Sequence, residues 1–237
     1  MTPQIGLIVS KEYAPISNVL QSAEQVRRQT EIKYSKTNRI TGYSTKFFSL
    51  YVLRSAIGEI SAAAATRTLI DFCDPEIIVN FGMATQLSNK VSYPNTYVVK
   101  NVIHYDFDVS SALSKPSPGT YPQYRSHLIP TSTHLVDSLG DLVKDYPLVT
   151  CASGDRFIIT KDDKNRLLST FSADICDMNS AGTLVVCDEA NIPCLIIKGV
   201  TDGIHNGAFS GDISFDNAAA SSFRHAFHII EHLAQNL

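Results

Sequence analysis

The sequence has no basic run longer than Arg27-Arg28, and its 20 lysines and arginines are outnumbered by 23 aspartates and glutamates. A formal net charge of −3 gives no electrostatic reason to expect nucleic acid or an anionic membrane as partner. No apolar stretch approaches the roughly 18–20 residues needed to span a bilayer, so no membrane partner is expected. The first residues run straight into the strand-like Ile5–Val9 without a basic segment or a cleavage site. The five cysteines, at 73, 151, 176, 187 and 194, are odd in number, and no two are spaced Cys-x-x-Cys. Buried reduced thiols in a cytoplasmic protein are the expectation.

Several chemistry-bearing motifs are also missing. No Gly-x-Gly-x-x-Gly follows a strand, which excludes the dinucleotide fingerprint. There is no phosphate loop, no His-Glu-x-x-His and no Gly-x-Ser-x-Gly nucleophile elbow. His225 and His228 share one helix face but have no third ligand nearby in sequence. No metal and no cofactor is expected.

What is present is an ordinary globular composition, 44% hydrophobic and 18% charged over 237 residues. A chain of that length buries roughly 70% of its unfolded surface, and one domain over 1–237 is the expected organisation. Short apolar runs at 5–9, 48–53, 76–81, 97–103, 147–151 and 194–200 read as strands, the first, 76–81 and 194–200 as buried ones. Helical patterns follow the first strand to about residue 29 and occupy 59–73, 180–191 and 216–236. Asp74-Pro75 ends the second helix, because the residue before proline avoids the α region. Gly82 is expected to turn the chain. Residues 110–125, with Pro116, Pro118 and Pro122, read as a long surface loop. Alternating strands and helices predict an α/β fold with a central mixed, mostly parallel sheet flanked by helices.

Polar residues cluster after three of the predicted strands: Gly82-Met83-Ala84-Thr85, Ser153-Gly154-Asp155-Arg156-Phe157-Ile158 and Lys198-Gly199-Val200-Thr201-Asp202-Gly203. Ligands of α/β sheets bind beyond the carboxyl ends of strands. These segments therefore predict a small-molecule site, although ordinary strand-to-loop turns have the same composition. On spacing alone the chemistry stays open.

Seven strings, in order along the chain, resemble the nucleoside phosphorylase/nucleosidase superfamily, most closely its methylthioadenosine/S-adenosylhomocysteine nucleosidases. Ser55-Ala56-Ile57-Gly58-Glu59-Ile60-Ser61-Ala62-Ala63 resembles Ser-Gly-Ile-Gly-Lys-Val-x-Ala-Ala. Asn80-Phe81-Gly82-Met83-Ala84 resembles Asn-x-Gly-Ser-Ala, and Tyr105-Asp106-Phe107-Asp108-Val109 resembles His-Asp-x-Asp-Val. Ser153–Ile158 is similar to Ser-Gly-Asp-x-Phe-Ile, and Asp177-Met178-Asn179-Ser180-Ala181 to a Glu/Asp-Met-Glu-x-x-Ala pattern. Thr201-Asp202 and Ser214-Phe215-Asp216 complete the series.

The resemblance implies cleavage of the N-glycosidic bond of a purine nucleoside, with Asp202 protonating or hydrogen-bonding purine N7. Phe157 would stack on the base and the Ile158 backbone would meet its edge. Met178 would pack under the ribose, next to Asp177 and Asn179. Ile57 and Phe215 would line the 5′-substituent pocket, and Met83, Ala84 and Thr201 would complete the lining. Val109 and the proline-rich loop would reach the site of a second copy, which implies a homodimer.

Three positions depart from the family pattern. The water-activating Glu falls, by count from Ile5-Gly6, on Ala14. Glu12 would substitute for it only if the loop is rearranged, and is otherwise a solvated surface carboxylate. The ribose-binding Glu is Asn179, which is neutral and gives less stabilisation of a developing cation. Met83 replaces a Ser, and an apolar side chain there disfavours phosphate as cosubstrate. Lys198 fits the family's Arg or Lys. The leading expectation is a purine nucleosidase acting on 5′-modified adenosines. The alternatives are a noncatalytic nucleoside-binding protein and a phosphorylase whose anion ligands would be Arg54, Arg156 or Lys198.

Overall fold

The computed structural model describes residues 2–36, 38–93, 95–111, 117–201, 204–205, 208–209 and 214–237, with the backbone alone at 201, 204, 205, 208 and 209. The first strand, β1 (Gln4–Val9), leads into helix α1 (Tyr13–Ser22). Then come β2 (Arg28–Lys33), β3 (Arg39–Ser44), β4 (Ser49–Arg54) and α2 (Glu59–Cys73). Strands β5 (Ile77–Gln86), β6 (Asn95–His104) and β7 (Ile129–Pro130) precede α3 (Thr133–Ser138). The second half holds β8 (Leu148–Ser153), α4 (Lys161–Phe171), β9 (Ile175–Asp177), α5 (Ser180–Glu189) and β10 (Cys194–Thr201). A two-stranded ribbon, β11 (Ile204–His205) and β12 (Ala208–Phe209), and helix α6 (Phe215–Ala234) close the chain.

The sheet is mixed, with a parallel core. Strands β4, β1, β5 and β10 run parallel side by side. Antiparallel neighbours extend the core on both sides: β3 and β2 beyond β4, and β6 beyond β10. The core strands are continuous apolar runs because both faces are covered. On one face Leu7, Val79, Phe81 and Ile197 meet Ile16 and Leu20 of α1 and Phe223, Phe227 and Ile230 of α6. On the other, Ile8, Ile78 and Ile196 meet Leu69 and Ile70 of α2 and Leu184 of α5. The alternation of adjacent residues between the two clusters follows from the two-residue period of a strand.

Two expectations are corrected. The first helix does not run to residue 29; it ends at Ser22, where Ala23 takes up an extended conformation. The chain then builds the β2–β3 hairpin, whose outer strand Arg28-Gln29-Thr30-Glu31-Ile32-Lys33 pairs with β3. That strand is mostly exposed, so it has no apolar face to announce it, and its charges suit a sheet edge. Gly82 does not turn the chain. Strand β5 continues through it to Gln86, in parallel register with Lys198.

Candidate functional site

A cleft opens at the carboxyl ends of the core strands, where an α/β sheet places its ligands. It is lined by Ser10, Lys11 and Glu12 after β1, by Ile57 and Gly58 before α2, and by Met83, Ala84 and Thr85 in β5. Arg156, Phe157 and Ile158 after β8, Cys176 to Asn179 around β9, and Phe215 at the start of α6 complete it. Ten of the residues expected from sequence therefore share one cavity: Glu12, Ile57, Met83, Ala84, Phe157, Ile158, Asp177, Met178, Asn179 and Phe215. Val109 lies on the loop after β6 and does not line it. Asp202 lies outside the described residues, and of Thr201 only the backbone, at the end of β10, is described.

Glu12 is not a solvated surface group. It is 5% exposed and sits just before the first turn of α1. One carboxylate oxygen, Oε1, accepts the Met83 backbone N–H at 2.9 Å. The other, Oε2, is buried and has no hydrogen-bond partner among the described residues. A buried carboxylate oxygen without a donor is costly unless a water or ligand supplies one. Ala14 is exposed and faces a different, shallow depression between α1 and α6. The carboxylate thus enters the cavity from two residues earlier than the family count.

Below the cavity lies a buried polar network. Lys198, fully buried on β10, places Nζ 2.6 Å from Asp177 Oδ2. It also donates to Asn80 Oδ1 at 2.6 Å and to Asn179 Oδ1 at 2.8 Å. An ammonium only donates, so the Asn179 oxygen must face Lys198. The amide nitrogen is left on the side of Gly82. A β-carbon added at Gly82 would lie 3.4 Å from Lys198 Nζ, 3.6 Å from Glu12 Oε1 and 3.7 Å from Asn179 Nδ2. Three polar groups thus converge on one stretch of backbone in β5.

Asp177 also accepts from Ser180 Oγ at 2.6 Å, and its Oδ1 lies 2.5 Å from Ser153 Oγ. Burial pushes its carboxyl up, but Lys198 and these donors outweigh burial and hold it below the ordinary carboxylate range. Ser153 Oγ also meets Glu59 Oε1 and accepts the Ser180 and Ala181 amides at 3.0 and 3.2 Å. Glu59 Oε2 accepts the Gly182 N–H at 2.6 Å. The Glu59 amide donates to Asp155 Oδ1 at 2.8 Å, across a turn in which Gly58 has φ 105°, a region favouring glycine.

Cys176 lines the cavity without offering a nucleophile. Burial, then the Asp177 charge, pushes its thiol up to about 12, so almost no thiolate exists at neutral pH. The rim is different in kind: Ile57 is 62% exposed and Phe157 60%.

Sequence reading did not single out Ser10, Lys11 or Cys176 of the lining; Thr85 stood in a segment expected to form a site, and Glu59 and Asn80 stood in family-like strings without a role of their own. For Glu59 a signal existed, since its string matches a family pattern with Lys at that position. Ser10, Lys11 and Cys176 carry no local signal, because each is an ordinary residue until the fold brings it to the cleft.

The sequence matches the Phosphorylase superfamily over residues 5–234. It is 28% identical over 195 residues to a 5′-methylthioadenosine/S-adenosylhomocysteine nucleosidase of Buchnera aphidicola, covering 79% of this chain and 84% of that one. Its fold is similar to that of the 5′-methylthioadenosine/S-adenosylhomocysteine nucleosidase of Colwellia psychrerythraea in complex with adenine. That match has TM-score 0.85 and 16% identity, over 98% of this chain and 96% of that one. It is similar also to a futalosine hydrolase of Helicobacter pylori, with TM-score 0.81 and 21% identity, over 100% and 99% of the two chains.

Proposed function

The chain belongs to the phosphorylase superfamily, and we propose that it hydrolyses the N-glycosidic bond of a purine nucleoside and releases the free base. Its substrates are 5′-modified adenosines such as methylthioadenosine or S-adenosylhomocysteine, the compounds named for the relative from Buchnera. The observation that carries this reading is the buried Oε2 of Glu12 in the cleft, which has no hydrogen-bond partner among the described residues. A water seated there has the hydrogen-bond acceptor it needs to become a nucleophile.

In this mechanism the bond between sugar C1′ and the base breaks first, and its electron pair leaves with the base. Asp202 delivers a proton to N7, so the base departs neutral. The water oxygen then bonds to C1′ and its proton passes to Glu12. Each proton transfer contributes roughly 10²–10⁴-fold. Phe157 stacks on the base, the Ile158 backbone meets its edge, Met178 packs under the ribose, and Ile57 and Phe215 flank the 5′-group. Asn179, its oxygen held by Lys198, turns its amide N–H₂ towards a sugar oxygen.

Water is favoured over phosphate because the charge of Lys198 is already committed. Lys198 is held by Asp177, Asn80 and Asn179, and Met83 brings an apolar side chain to the same wall. The protein acts as a homodimer in which the Val109 loop of a second copy covers the exposed Ile57 and Phe157. It works in the cytoplasm, in keeping with five cysteines that are all free and buried.

The test is to incubate the protein with methylthioadenosine, S-adenosylhomocysteine, 5′-deoxyadenosine, adenosine and inosine, each with and without phosphate, and to separate free base from nucleoside. Base released without phosphate is the expected result. Strict phosphate dependence would instead establish a phosphorylase. Thermal stabilisation by a nucleoside that is never cleaved would establish a noncatalytic binder.

A further inference from the structure

We propose that Glu59 is a positioning residue for this hydrolysis: while protonated it donates to Ser153, Ser153 in turn donates to Asp177, and this chain ties the Ile57–Gly58 wall of the cleft to the Asp177–Asn179 wall. The proposal rests on the nucleosidase reading.

It begins from a count of hydrogens. Ser153 Oγ carries one hydrogen, and it stands within hydrogen-bond reach of two carboxylates, Glu59 Oε1 and Asp177 Oδ1. Its lone pairs also face the Ser180 and Ala181 amides. If both carboxyls are ionised, one of them receives no hydrogen and faces a lone pair. One added proton on Glu59 relieves the conflict: Glu59 donates to one lone pair of Ser153, the Ser180 and Ala181 amides share the other, and Ser153 donates to Asp177.

The surroundings decide which carboxyl keeps that proton. Asp177 on β9 has the Lys198 ammonium and the Ser180 hydroxyl, so it stays ionised. Glu59 at the start of α2 has no cation partner among the described residues. Asp177, Asp155 after β8 and the Tyr121 phenol stand around it, while Lys198 on β10 faces Asp177 instead. The one compensating donor at its other oxygen is the Gly182 amide in the first turn of α5. Burial, then the Asp177 charge, pushes the Glu59 carboxyl up to about 7, against the lowering effect of Ser153 and Gly182.

The link to the cleft is short on both sides. Glu59 directly follows Ile57 and Gly58, and its amide is held by Asp155, the neighbour of Arg156 and Phe157. Ser153 holds Asp177 and the first amides of α5, and Asp177 holds Lys198, which fixes Asn179. Loss of the Glu59 proton to solvent therefore loosens the sugar side of the cleft without touching the groups that react.

The experiment compares wild type with Glu59→Gln, whose amide donates to Ser153 and accepts from Gly182 at every pH. The expected wild-type kcat/KM falls roughly tenfold from about pH 6 to about pH 9, mostly through KM, as one buried hydrogen bond is lost. The Glu59→Gln profile lacks that rise in KM, whereas an alkaline fall in kcat from deprotonation of Asp202 is common to both proteins. In parallel, Tm is measured without ligand. The folded Glu59 carboxyl is raised from 4.5 to about 7, so its stabilising proton is fully counted below about 4.5 and lost as pH rises through about 7. The Tm of wild type relative to Glu59→Gln should fall across that window. Should the variant not fold, a protonated carboxyl stretch in the infrared spectrum of wild type, present near pH 6 and absent near pH 9, reads the same proton. Persistence of the same alkaline rise in KM in Glu59→Gln, or absence of the proton signal near neutral pH, overturns the proposal and leaves the nucleosidase reading intact. A protein that cleaves no nucleoside yet shows the Tm window overturns the nucleosidase reading and leaves the proton assignment standing.

Discussion

The floor of the cleft and its rim are built on opposite terms. The floor, formed by Asn80, Ser153, Asp177, Asn179 and Lys198, is at least nine-tenths buried, and its charges are satisfied by neighbours far away in sequence. The rim, with Ile57 and Phe157, is apolar and more than half exposed. The floor is fixed by electrostatics in a medium where an unpaired charge is very costly. The rim has no such constraint on Ile57 and Phe157, whose side chains stand largely in solvent. Geometry that must be accurate for chemistry is on the strand ends; surface that must recognise a variable group is on the loops.

Within the floor, the two carboxyls that share Ser153 titrate in opposite senses. Asp177, held below its ordinary value by Lys198, contributes stability above the unfolded aspartate range and loses it as the medium turns acid. Glu59, raised by burial and the Asp177 charge, contributes below that range and loses it towards neutrality. The main difference within the pair is access to a cation: Lys198 faces Asp177 and not Glu59.

The contrast between floor and rim can be broken most forcefully at Lys198. Lys198→Met removes the ammonium and leaves Asp177 buried beside Glu59. The expected loss is about 3–5 kcal/mol, or roughly 6–20 °C in Tm for a chain of this size, read by thermal denaturation. A loss below about 1 kcal/mol would mean that the network relaxes and the floor is not electrostatically fixed. Glu12→Gln comes next. It keeps the Met83 hydrogen bond through its amide oxygen but cannot take a proton. A kcat lower by about 10²–10⁴-fold with nucleoside affinity nearly unchanged is expected, measured by base release and by binding under single-turnover conditions. Unaltered kcat would remove Glu12 from the reaction. Phe157→Ala should be the mildest. Stacking on the base is worth roughly 1–3 kcal/mol, so affinity falls, while Tm stays within the small change typical of exposed positions, about 0.5 kcal/mol. A large Tm loss would show that the rim is structural after all.

Legibility in the sequence followed the same division. The parallel core strands and helices α2, α5 and α6 were readable, since continuous apolar runs and helical spacing are local signals. The β2–β3 hairpin was not, because an exposed edge strand such as Arg28–Lys33 has no buried face to pattern it. Strand β9 is three residues long, too short for any period. In the site, Phe157, Ile158, Met178 and Asn179 were found through strings similar to a family. For Glu12 the sequence is compatible with cleft or surface, and the start of α1 decides for the buried position.

The sequence by itself determined the layered α/β architecture and the chemical inventory at the strand ends. Apolar runs of that length can be hidden only in the middle of a covered sheet, and the loops that follow them must then gather at one edge. Tertiary structure alone decided which inventory became a network. Asn80, Ser153, Asp177 and Lys198 sit on four different strands, and Glu59 on a helix 94 residues from the serine it meets. Whether such groups are partners or strangers is a matter of a few ångströms, and charge in a buried site is set by those distances rather than by residue type.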